Sequence, residues 1–303
     1  MSELTVAVVV KDRREAMARC LAGLAAQVDP PAEVLVVDNG STDGTLELLQ
    51  TTPGLRLVEQ AGPLGRARQA AVDACRTPLL AFVDSDCVPF PGWTRELVAA
   101  LEPGVAVVQG RTVPAAPVTA RWSATQDIDR FTDRYETCNV LYRLAALRAA
   151  GGFDVDSGFF GEDTAAGWRV RRAGGRGVFA ATAVVAHDVT YPGWAWHLRR
   201  GLQYAAWPRL VAEFPELRDE VLYRRWFLRR RNVAVLLGVA GMAVTGATRR
   251  PGPLTAVLPW CVLRRPRRHG LPGLADSAAG MAFDLSVLAG LLRGSVKERH
   301  VVL

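Results

Sequence analysis

The first 190 residues alternate short apolar runs with stretches of helical periodicity. Five apolar runs, each bounded by turn residues, have the length of buried strands. They lie at residues 5–10, 34–37, 55–58, 79–83 and 105–109. Between the runs, apolar side chains recur at helical spacing, as at Ala16, Cys20 and Leu24. Because continuous apolar runs are typical of strands covered on both faces, the pattern predicts an α/β fold with a doubly wound, mostly parallel central sheet flanked by helices.

The pattern is less regular beyond residue 110. Strands are predicted at residues 138–142, 177–181 and 184–186, and helices at residues 144–150 and 164–173. Gly151 and Gly152 are typical of a helix C-cap and end the first of these helices. The polar stretch at residues 114–136 is interpreted as a solvated surface segment, with an acceptor-facing loop as the alternative.

The C-terminal part of the chain differs in composition. We expect a catalytic domain over residues 1–212 and a helical, basic and apolar tail over residues 213–303. Residues 221–275 contain eleven arginines and no acidic residue, so the net charge of +7 originates in the tail. The uncharged run at residues 232–248 is at the lower limit of length for a membrane-spanning helix. Apolar runs flanked by arginines favour a segment that lies on a membrane, with a soluble helical subdomain packed on the sheet domain as the alternative.

Cysteine usage indicates the compartment. The five cysteines are scattered and form no C-x-x-C pair, which argues against a disulfide scaffold or a zinc knuckle. We therefore expect a cytoplasmic protein, peripheral at the cytoplasmic face of the membrane if the tail binds there. A non-enzymatic basic-tail protein that binds nucleic acid or membrane is a rival interpretation. Nucleic acid is not expected as a partner, because the tail alternates arginines with aliphatic runs rather than with aromatic residues.

Acidic side chains follow two of the predicted strands. Asp38 follows the second strand, and Asp84-Ser85-Asp86 follows the fourth. In open α/β sheets, ligands bind at the carboxyl ends of the strands. Asp84 and Asp86 point to the same side of an extended chain, and two hard oxygen ligands suit a Mg²⁺ or Mn²⁺ that also holds a phosphate. An Asx turn or a helix N-cap is the alternative interpretation.

A second acidic pair, Glu162 and Asp163, begins the last predicted helix. Phe159 and Phe160 precede it, and aromatic neighbours would desolvate a carboxylate and raise its pKa, as a general base requires. Acids in a first helical turn also interact favourably with the helix dipole, so a purely structural role is the alternative. His187 ends the last short strand and, by itself, is more typical of a surface or core histidine than of a ligand.

Two common phosphate-binding motifs are absent from the sequence, since no G-x-G-x-x-G follows the first strand and no G-x-x-x-x-G-K-[ST] occurs. Instead, five ordered stretches resemble the family 2 glycosyltransferases, which have the GT-A nucleotide-diphospho-sugar fold. They are V-A-V-V-V-K-D-R at residues 6–13, E-V-L-V-V-D-N-G-S-T-D-G-T at 33–45, L-L-A-F-V-D-S-D at 79–86, G-G-F-D at 151–154 and F-F-G-E-D-T-A-A-G-W-R-V-R-R-A-G at 159–174. The resemblance covers residues 4–200 and implies a nucleotide-diphosphate sugar as donor.

The resemblance implies a role for each matching residue. Asp163 is implied as the catalytic base, with Glu162 as the alternative. The implied nucleotide-sugar-binding residues are Asp12, Asp38, Arg68, Asp84 and Ser85, with Asp38 on the base or its ribose. The implied metal is Mn²⁺ or Mg²⁺, and its implied ligands are Asp86, Asp84 and His187.

The sequence departs from the family pattern in three places. The first strand ends in Lys11-Asp12-Arg13 rather than in a sequence such as Pro-Thr-Tyr-Asn, so the pyrimidine contact would pass to Asp12 or Arg13. The family often has Asp-x-Asp-Leu after the acidic pair, whereas this sequence has Thr164-Ala165-Ala166-Gly167. The processive Gln-x-x-Arg-Trp signature is absent, which favours transfer of one sugar over polymerisation.

The resemblance thus implies an inverting, metal-dependent transfer of a single sugar to an acceptor hydroxyl. The acceptor is left open, with a lipid-linked or membrane-presented molecule as one option. A sugar-phosphate nucleotidylyltransferase shares the sheet architecture and is the alternative enzyme. Such an enzyme needs a glycine-rich loop after the first strand, and Lys11-Asp12-Arg13 contains no glycine.

Overall fold

The computed structural model describes residues 3–120, 122–156, 160–264 and 270–303. The chain forms two compact units, which are described separately. The sheet unit comprises residues 1–118 and 124–190, and the helical unit comprises residues 119–123 and 191–303. The expected domain boundary between residues 212 and 213 stays a prediction. Phe159 and the tail arginines Arg265, Arg267 and Arg268 lie outside the described residues.

Eight strands form one mixed sheet in the sheet unit. They are β1 (Leu4–Val10), β2 (Glu33–Asp38), β3 (Leu55–Glu59), β4 (Leu79–Val83), β5 (Cys87–Pro89), β6 (Val105–Pro114), β7 (Asn139–Arg143) and β8 (Arg176–His187). Their order across the sheet is β3-β2-β1-β4-β7-β6-β8-β5. The first four strands in this order form a continuous parallel block. Of the other neighbours, β6 and β8 are parallel, whereas β7 is antiparallel to β4 and β6, and β5 is antiparallel to β8.

Helices flank this sheet and make up most of the helical unit. The sheet unit contains α1 (Arg14–Ala25), α2 (Thr45–Thr51), α3 (Leu64–Ala74), α4 (Trp93–Ala99), α5 (Leu144–Ala149) and α6 (Glu162–Arg172). The helical unit contains α7 (Trp194–Leu202), α8 (Trp207–Glu213), α9 (Leu217–Glu220), α10 (Arg230–Thr248), α11 (Leu258–Leu263) and α12 (Gly270–Glu298). Two 3-10 segments, Gln203–Ala206 and Gly252–Val257, connect helices of the second unit.

The main hydrophobic core lies along the centre of the sheet. Nearly every residue of β1 and β4 is buried, because helices cover both faces of these strands. Met17 and Cys20 of α1 and Trp93 and Leu97 of α4 pack into this core. Burial on both faces explains why the central strands are continuous apolar runs rather than alternating ones.

Several elements differ from the expectation drawn from the sequence, among them β5, which was not predicted, the strand β8 and the last helix of the sheet unit. The short strands expected at residues 177–181 and 184–186 are one strand, β8, which pairs with β6 through a register shift between Gly110 and Arg111. Such an irregularity adds unpaired residues and interrupts the side-chain alternation, so the sequence pattern looks like two strands. The last helix of the sheet unit begins at Glu162 rather than at residue 164, so both acids of the pair lie in its first turn.

Asn139 joins four elements of the sheet unit through its buried side chain. Its amide oxygen accepts a hydrogen bond from Trp93 Nε1 at 2.8 Å. Its amide nitrogen donates to the carbonyl oxygens of Arg111 and Ala183 at 2.8 and 2.9 Å. The amide lies against Gly110, where any Cβ would collide with it. A single side chain therefore holds α4, β6 and β8 to the start of β7.

We expect Asn139→Ala to lower the free energy of unfolding by roughly 3 kcal/mol, because it leaves an indole donor and two carbonyl acceptors buried without partners. Urea denaturation followed by circular dichroism measures the change. Gln50→Ala, at an exposed position of α2, is the control and should stay within about 0.5 kcal/mol of the wild type. A loss for Asn139→Ala no larger than that of the control would contradict the assignment.

Candidate active site

The predicted strand-end acids lie along one edge of the parallel block. Asp38 is the last residue of β2 and pairs in register with Val10 of β1. Asp84 directly follows β4, and β4 pairs with β1 on the side opposite to β2. The carboxyl ends of these parallel strands lie at the same edge, where ligands bind in open α/β sheets. The sequence placed these acids correctly at this edge.

Asp38 is buried, and among the described residues only one of its two carboxylate oxygens has hydrogen-bond donors. Its Oδ2 accepts hydrogen bonds from the backbone N–H groups of Gly40 and Ser41, both at 3.0 Å. Its Oδ1 is also buried, and no hydrogen-bond donor from the described residues reaches it. Buried polar atoms almost always have a partner. A ligand that offers an O–H or N–H group at this edge would supply the missing one.

Asp12 links the two loops beside Asp38 through hydrogen bonds. It has a left-handed backbone with a φ of 52°. Its Oδ1 accepts hydrogen bonds from the backbone N–H and hydroxyl of Thr42, at 2.7 and 3.2 Å. Its own N–H donates to Ser41 Oγ at 3.1 Å. These bonds hold the loop after β1 against the loop after β2, and a direct contact from Asp12 to a nucleotide stays a prediction.

Arg68 connects the acids after β4 with the acidic pair of α6. It lies on α3, and its Nη1 donates a hydrogen bond to Glu162 Oε1. Its Nη2 is 3.8 Å from Asp84 Oδ1. The Arg68 and Glu162 side chains are only 8% and 3% exposed, so this ion pair is almost completely desolvated. Burial raises the pKa of Asp84, and the nearby Arg68 guanidinium opposes that shift.

Asp86 lies between a guanidinium and an imidazole. Its Oδ2 is 3.8 Å from Arg13 Nη2, and its Oδ1 is 3.7 Å from His187 Nε2. The antiparallel pairing of β5 with β8 places His187 there, since Cys87 and His187 are register partners. Ser85, between the two aspartates, is buried. The D-x-D turn and His187 are therefore neighbours, although about a hundred residues separate them in sequence.

The hydrogen bond at the other ring nitrogen of His187 defines its tautomer. Nδ1 is 2.9 Å from the carbonyl oxygen of Asp188. A carbonyl oxygen only accepts hydrogen bonds, so Nδ1 carries the proton. Nε2 faces Asp86, as in a metal-binding histidine whose second nitrogen is held by a carbonyl group.

These residues fit a divalent cation. Ligand atoms of Asp86, Cys87 and His187 lie within 4.8 Å of one another. Burial raises the pKa of the Cys87 thiol well above its usual value, which disfavours the thiolate as a ligand. The carboxylate of Asp86 and the imidazole of His187 remain as ligands, and the carboxylate suits Mn²⁺ or Mg²⁺.

Asp163 lies in the first turn of α6, which follows the left-handed Gly161. Its Oδ1 accepts a hydrogen bond from the N–H of Thr164 at 2.7 Å, and the side chain is half-buried. Its negative charge contributes to the raised pKa of Asp84, so the two carboxylates share one electrostatic environment. The structure thus brings the acidic pair to the D-x-D turn, with Arg68 between them.

The sequence did not reveal a polar network beside Asp163. Gln109, a buried amide at the end of an apolar run, donates from Nε2 to Glu136 Oε2 at 2.5 Å. Thr132 Oγ1 donates to the same oxygen at 2.6 Å, and burial raises the pKa of Glu136. Tyr135 is buried with a left-handed φ of 57°. The interpretation of residues 114–136 as a solvated surface segment is therefore wrong for this part, and a glutamine in a buried strand was the available signal.

The buried Arg68–Glu162 ion pair predicts different free energies of unfolding for single and double variants. Glu162→Leu leaves a buried guanidinium without its partner and should lower the free energy of unfolding by roughly 3–5 kcal/mol. Arg68→Met/Glu162→Leu removes both charges and should be more stable than Glu162→Leu alone. Denaturant unfolding of Glu162→Leu, of Arg68→Met, of the double variant and of the wild type measures the difference. A double variant as unstable as the sum of the two single losses would show that the pair is not coupled.

Solved structures with a similar fold are glycosyltransferases. Mannosyltransferase PcManGT from Pyrobaculum calidifontis, in complex with GDP-Man and Mn²⁺, matches 98% of this chain and 87% of its own with a TM-score of 0.61 at 20% identity. TarS 1-349 of S. aureus matches 99% of this chain and 92% of its own with a TM-score of 0.51 at 16% identity. GalNAc-T7 with UDP, GalNAc and Mn²⁺ matches 63% of this chain and 44% of its own with a TM-score of 0.51 at 14% identity. These likenesses confirm the GT-A type α/β fold.

Sequence relatives agree with the structural neighbours. The pre-mycofactocin glycosyltransferase of Mycobacterium tuberculosis is 30% identical over 208 residues, which are 61% of this chain and 43% of that relative. An uncharacterized glycosyltransferase of Mycobacterium bovis is 34% identical over 150 residues, 45% of this chain and 69% of its own. The chain thus spans less than half of the first relative and about two thirds of the second. The model of glycosyl transferase family 2 matches residues 5–157, half of the chain, and the chain therefore belongs to this family.

Proposed function

We propose that this protein transfers a single sugar from a nucleotide-diphosphate sugar to an acceptor hydroxyl, with inversion at the anomeric carbon and with a divalent cation. The observation that carries the proposal is the desolvated guanidinium of Arg68, which joins Asp84 to the Glu162–Asp163 pair. Donor-side and acceptor-side acids are thereby held in one site. Family membership favours this reaction over nucleotidyl transfer, the alternative enzyme.

Asp38 supports the donor half of the proposal. Its buried Oδ1, which no described donor reaches, is suited to accept a hydrogen bond from a ribose hydroxyl or a base N–H. Ser85 and Asp84 lie on the neighbouring strand end and are proposed on the sugar side of the donor. Asp12 contributes by holding the loop that carries the N–H partners of Asp38.

Asp86 and His187 are the residues proposed to hold the cation, with Asp84 beside them. When bound, Mn²⁺ or Mg²⁺ would neutralise the charge that develops on the departing diphosphate. Two of the structural neighbours contain Mn²⁺ together with GDP-Man or UDP, which supports this donor class and this cofactor. The Nδ1–H bond to the Asp188 carbonyl keeps the imidazole of His187 oriented toward Asp86.

Asp163 is the proposed general base. It takes the proton of the acceptor hydroxyl while the hydroxyl oxygen attacks the anomeric carbon, and the bond to the diphosphate breaks on the opposite face. Glu162 is less suited to this role, because Arg68 already occupies one of its oxygens. We assign Glu162 to positioning Arg68 between the two groups of acids.

The helical unit supports a membrane-presented acceptor. Helices Arg230–Thr248 and Gly273–Glu298 are long and apolar enough to cross a membrane by length and composition. Large apolar side chains on these helices are exposed, among them Met242, Val244 and Leu274. Exposed apolar surface beside arginine clusters favours a helical unit that lies on an anionic membrane. We therefore propose a peripheral location and a lipid-linked acceptor.

Asp163→Asn should lower the turnover of donor by about 100-fold or more, because general base catalysis contributes about that much. Turnover is measured as release of nucleoside diphosphate from UDP- and GDP-sugars with Mn²⁺ present, and donor binding by calorimetry should be unchanged. Asp73→Asn, on the exposed face of α3, is the matched control with wild-type turnover. Full turnover by Asp163→Asn would reject it as the base and direct attention to Glu162.

Removal of divalent cations should stop turnover, and Mn²⁺ or Mg²⁺ should restore it. Asp86→Ala should lose both turnover and Mn²⁺ binding, the latter measured directly by electron paramagnetic resonance. Asp29→Asn removes one exposed carboxylate elsewhere in the sheet unit and should retain both. Wild-type turnover in the presence of a chelator would contradict the metal site, as would unchanged Mn²⁺ binding by Asp86→Ala.

A further inference from the structure

Two arginines of the helical unit contact a single buried carboxylate, and a third arginine is a charged neighbour of one of them. We call Arg229, Arg231 and Arg264 the arginine cluster. Arg264 Nη1 lies 3.0 and 2.9 Å from the two carboxylate oxygens of Asp284 on α12. Arg231 Nη1, in the first turn of α10, is 4.0 Å from the same carboxylate. Asp284 is only 9% exposed, so the cluster is anchored inside the unit rather than on mobile surface side chains.

The positive charge of the cluster is not balanced. In the described part of the helical unit, Asp284 is the one carboxylate that forms ion pairs with Arg231 and Arg264, and Arg229 forms none. Asp284 is already occupied, because Trp260 Nε1 also donates to it at 3.0 Å. Among the described residues, three guanidinium groups and one ion-paired carboxylate leave two formal positive charges that no ion pair matches.

The position of the cluster on α10 increases the imbalance. Arg229 is the N-cap residue of this helix, and Arg231 lies in its first turn. The helix dipole is positive at this end, so acidic residues are favoured there and arginines are not. Like charges at the start of a 19-residue helix are unfavourable unless an anion offsets them. The arrangement is thus explained by a ligand with negative charge.

Hydrogen-bond donors remain for such a ligand. A guanidinium has five N–H groups. Arg229 uses one toward the hydroxyl of Tyr204 at 3.2 Å. Arg231 makes no hydrogen bond from its side chain to any described residue, and the Arg231 and Arg264 side chains are 30% and 26% exposed. Solvent and ligands can therefore reach these guanidinium groups.

Apolar side chains next to the cluster indicate the source of the anion. Leu258 and Val262 of α11 are about 60% exposed, and Arg264 follows this helix directly. Leu237, on α10, is also exposed. A free phosphate would gain nothing from apolar neighbours, whereas a lipid brings a phosphate and hydrocarbon together.

We propose that the arginine cluster binds the phosphate group of a membrane lipid. Planar guanidinium groups match phosphate oxygens in paired hydrogen bonds, and Asp284 keeps Arg264 in place for that contact. The inference rests on the proposal that the helical unit lies on a membrane, and it is independent of the glycosyl transfer chemistry.

Sedimentation of the full-length protein with vesicles tests the site. The vesicles are phosphatidylcholine alone or with about 20 mol% phosphatidic acid or phosphatidylserine. Arg229→Gln/Arg231→Gln is compared with Arg249→Gln/Arg250→Gln, which removes the same charge at the exposed far end of α10. We expect the cluster variant to bind the anionic vesicles at least about tenfold more weakly than the control variant, because paired guanidinium–phosphate bonds are lost as well as charge.

Several outcomes would overturn the proposal. Equal weakening in the two double variants would indicate a diffuse basic surface without a site. Failure of the wild type to bind any vesicle would exclude a lipid as the ligand. If the wild type then showed thermal stabilisation by inorganic phosphate, free phosphate would be the ligand instead. If the double variant misfolds, Arg231→Lys is the alternative test, because it keeps the positive charge but removes the planar guanidinium group. Vesicle binding by Arg231→Lys as strong as that of the wild type would exclude recognition by the guanidinium group. Donor turnover should be unchanged in all variants, so failure of the site and failure of the enzyme are separable.

Discussion

The candidate active site depends on the neutralisation of several carboxylates that the sheet topology brings together. Parallel strands all end at the same edge, so Asp38, Asp84 and Asp86 lie along one side of the sheet. Asp84, Asp86 and Asp163 are close enough to interact, and such carboxylates repel one another unless positive groups lie between them. Arg68 supplies the buried positive charge, and its contacts with Glu162 and Asp84 couple α6 to the end of β4. Without that guanidinium, the two groups of acids would be expected to move apart.

The antiparallel half of the sheet has a different role from the parallel half. Pairing of β5 with β8 brings His187 beside Asp86, and the carbonyl of Asp188 orients its ring. Between β6 and α6, Gln109 and Glu136 hold a segment with left-handed residues close to the helix that carries Asp163. Strained backbone of this kind persists only where its surroundings hold it in place, and it is common near functional sites. The parallel half thus supplies the proposed donor contacts, and the antiparallel half supports the metal and acceptor sides.

The helical unit combines two physical features that a soluble core seldom has. Its two longest helices expose many large apolar side chains, and two of its arginines pair with one buried carboxylate. Apolar exposure alone would also fit a protein–protein interface. Our proposal of a membrane partner rests on the arginines near Asp284, because an anionic membrane would supply a counter-charge together with an apolar partner. A membrane offers both in one partner.

The sequence by itself determined the elements and the class of the protein. Continuous apolar runs predicted the central strands, because strands buried on both faces need apolar residues throughout. Asp38, Asp84 and Asp86 were predictable at strand ends, and the ordered motifs resembled the family that the comparisons confirm. These features are local, so each can be recognised in a short stretch of chain.

Only the tertiary structure decided which distant residues meet. The pairing of Arg68 with Glu162, the tautomer of His187 and the network around Gln109 depend on strand register and helix packing. The single strand β8 was hidden because a register shift breaks its alternation. The arginines of the tail were visible in the sequence, but the pairing of Arg231 and Arg264 with Asp284 was not. Such contacts join side chains whose spacing in the chain carries no periodic signal, and folding alone brings them together.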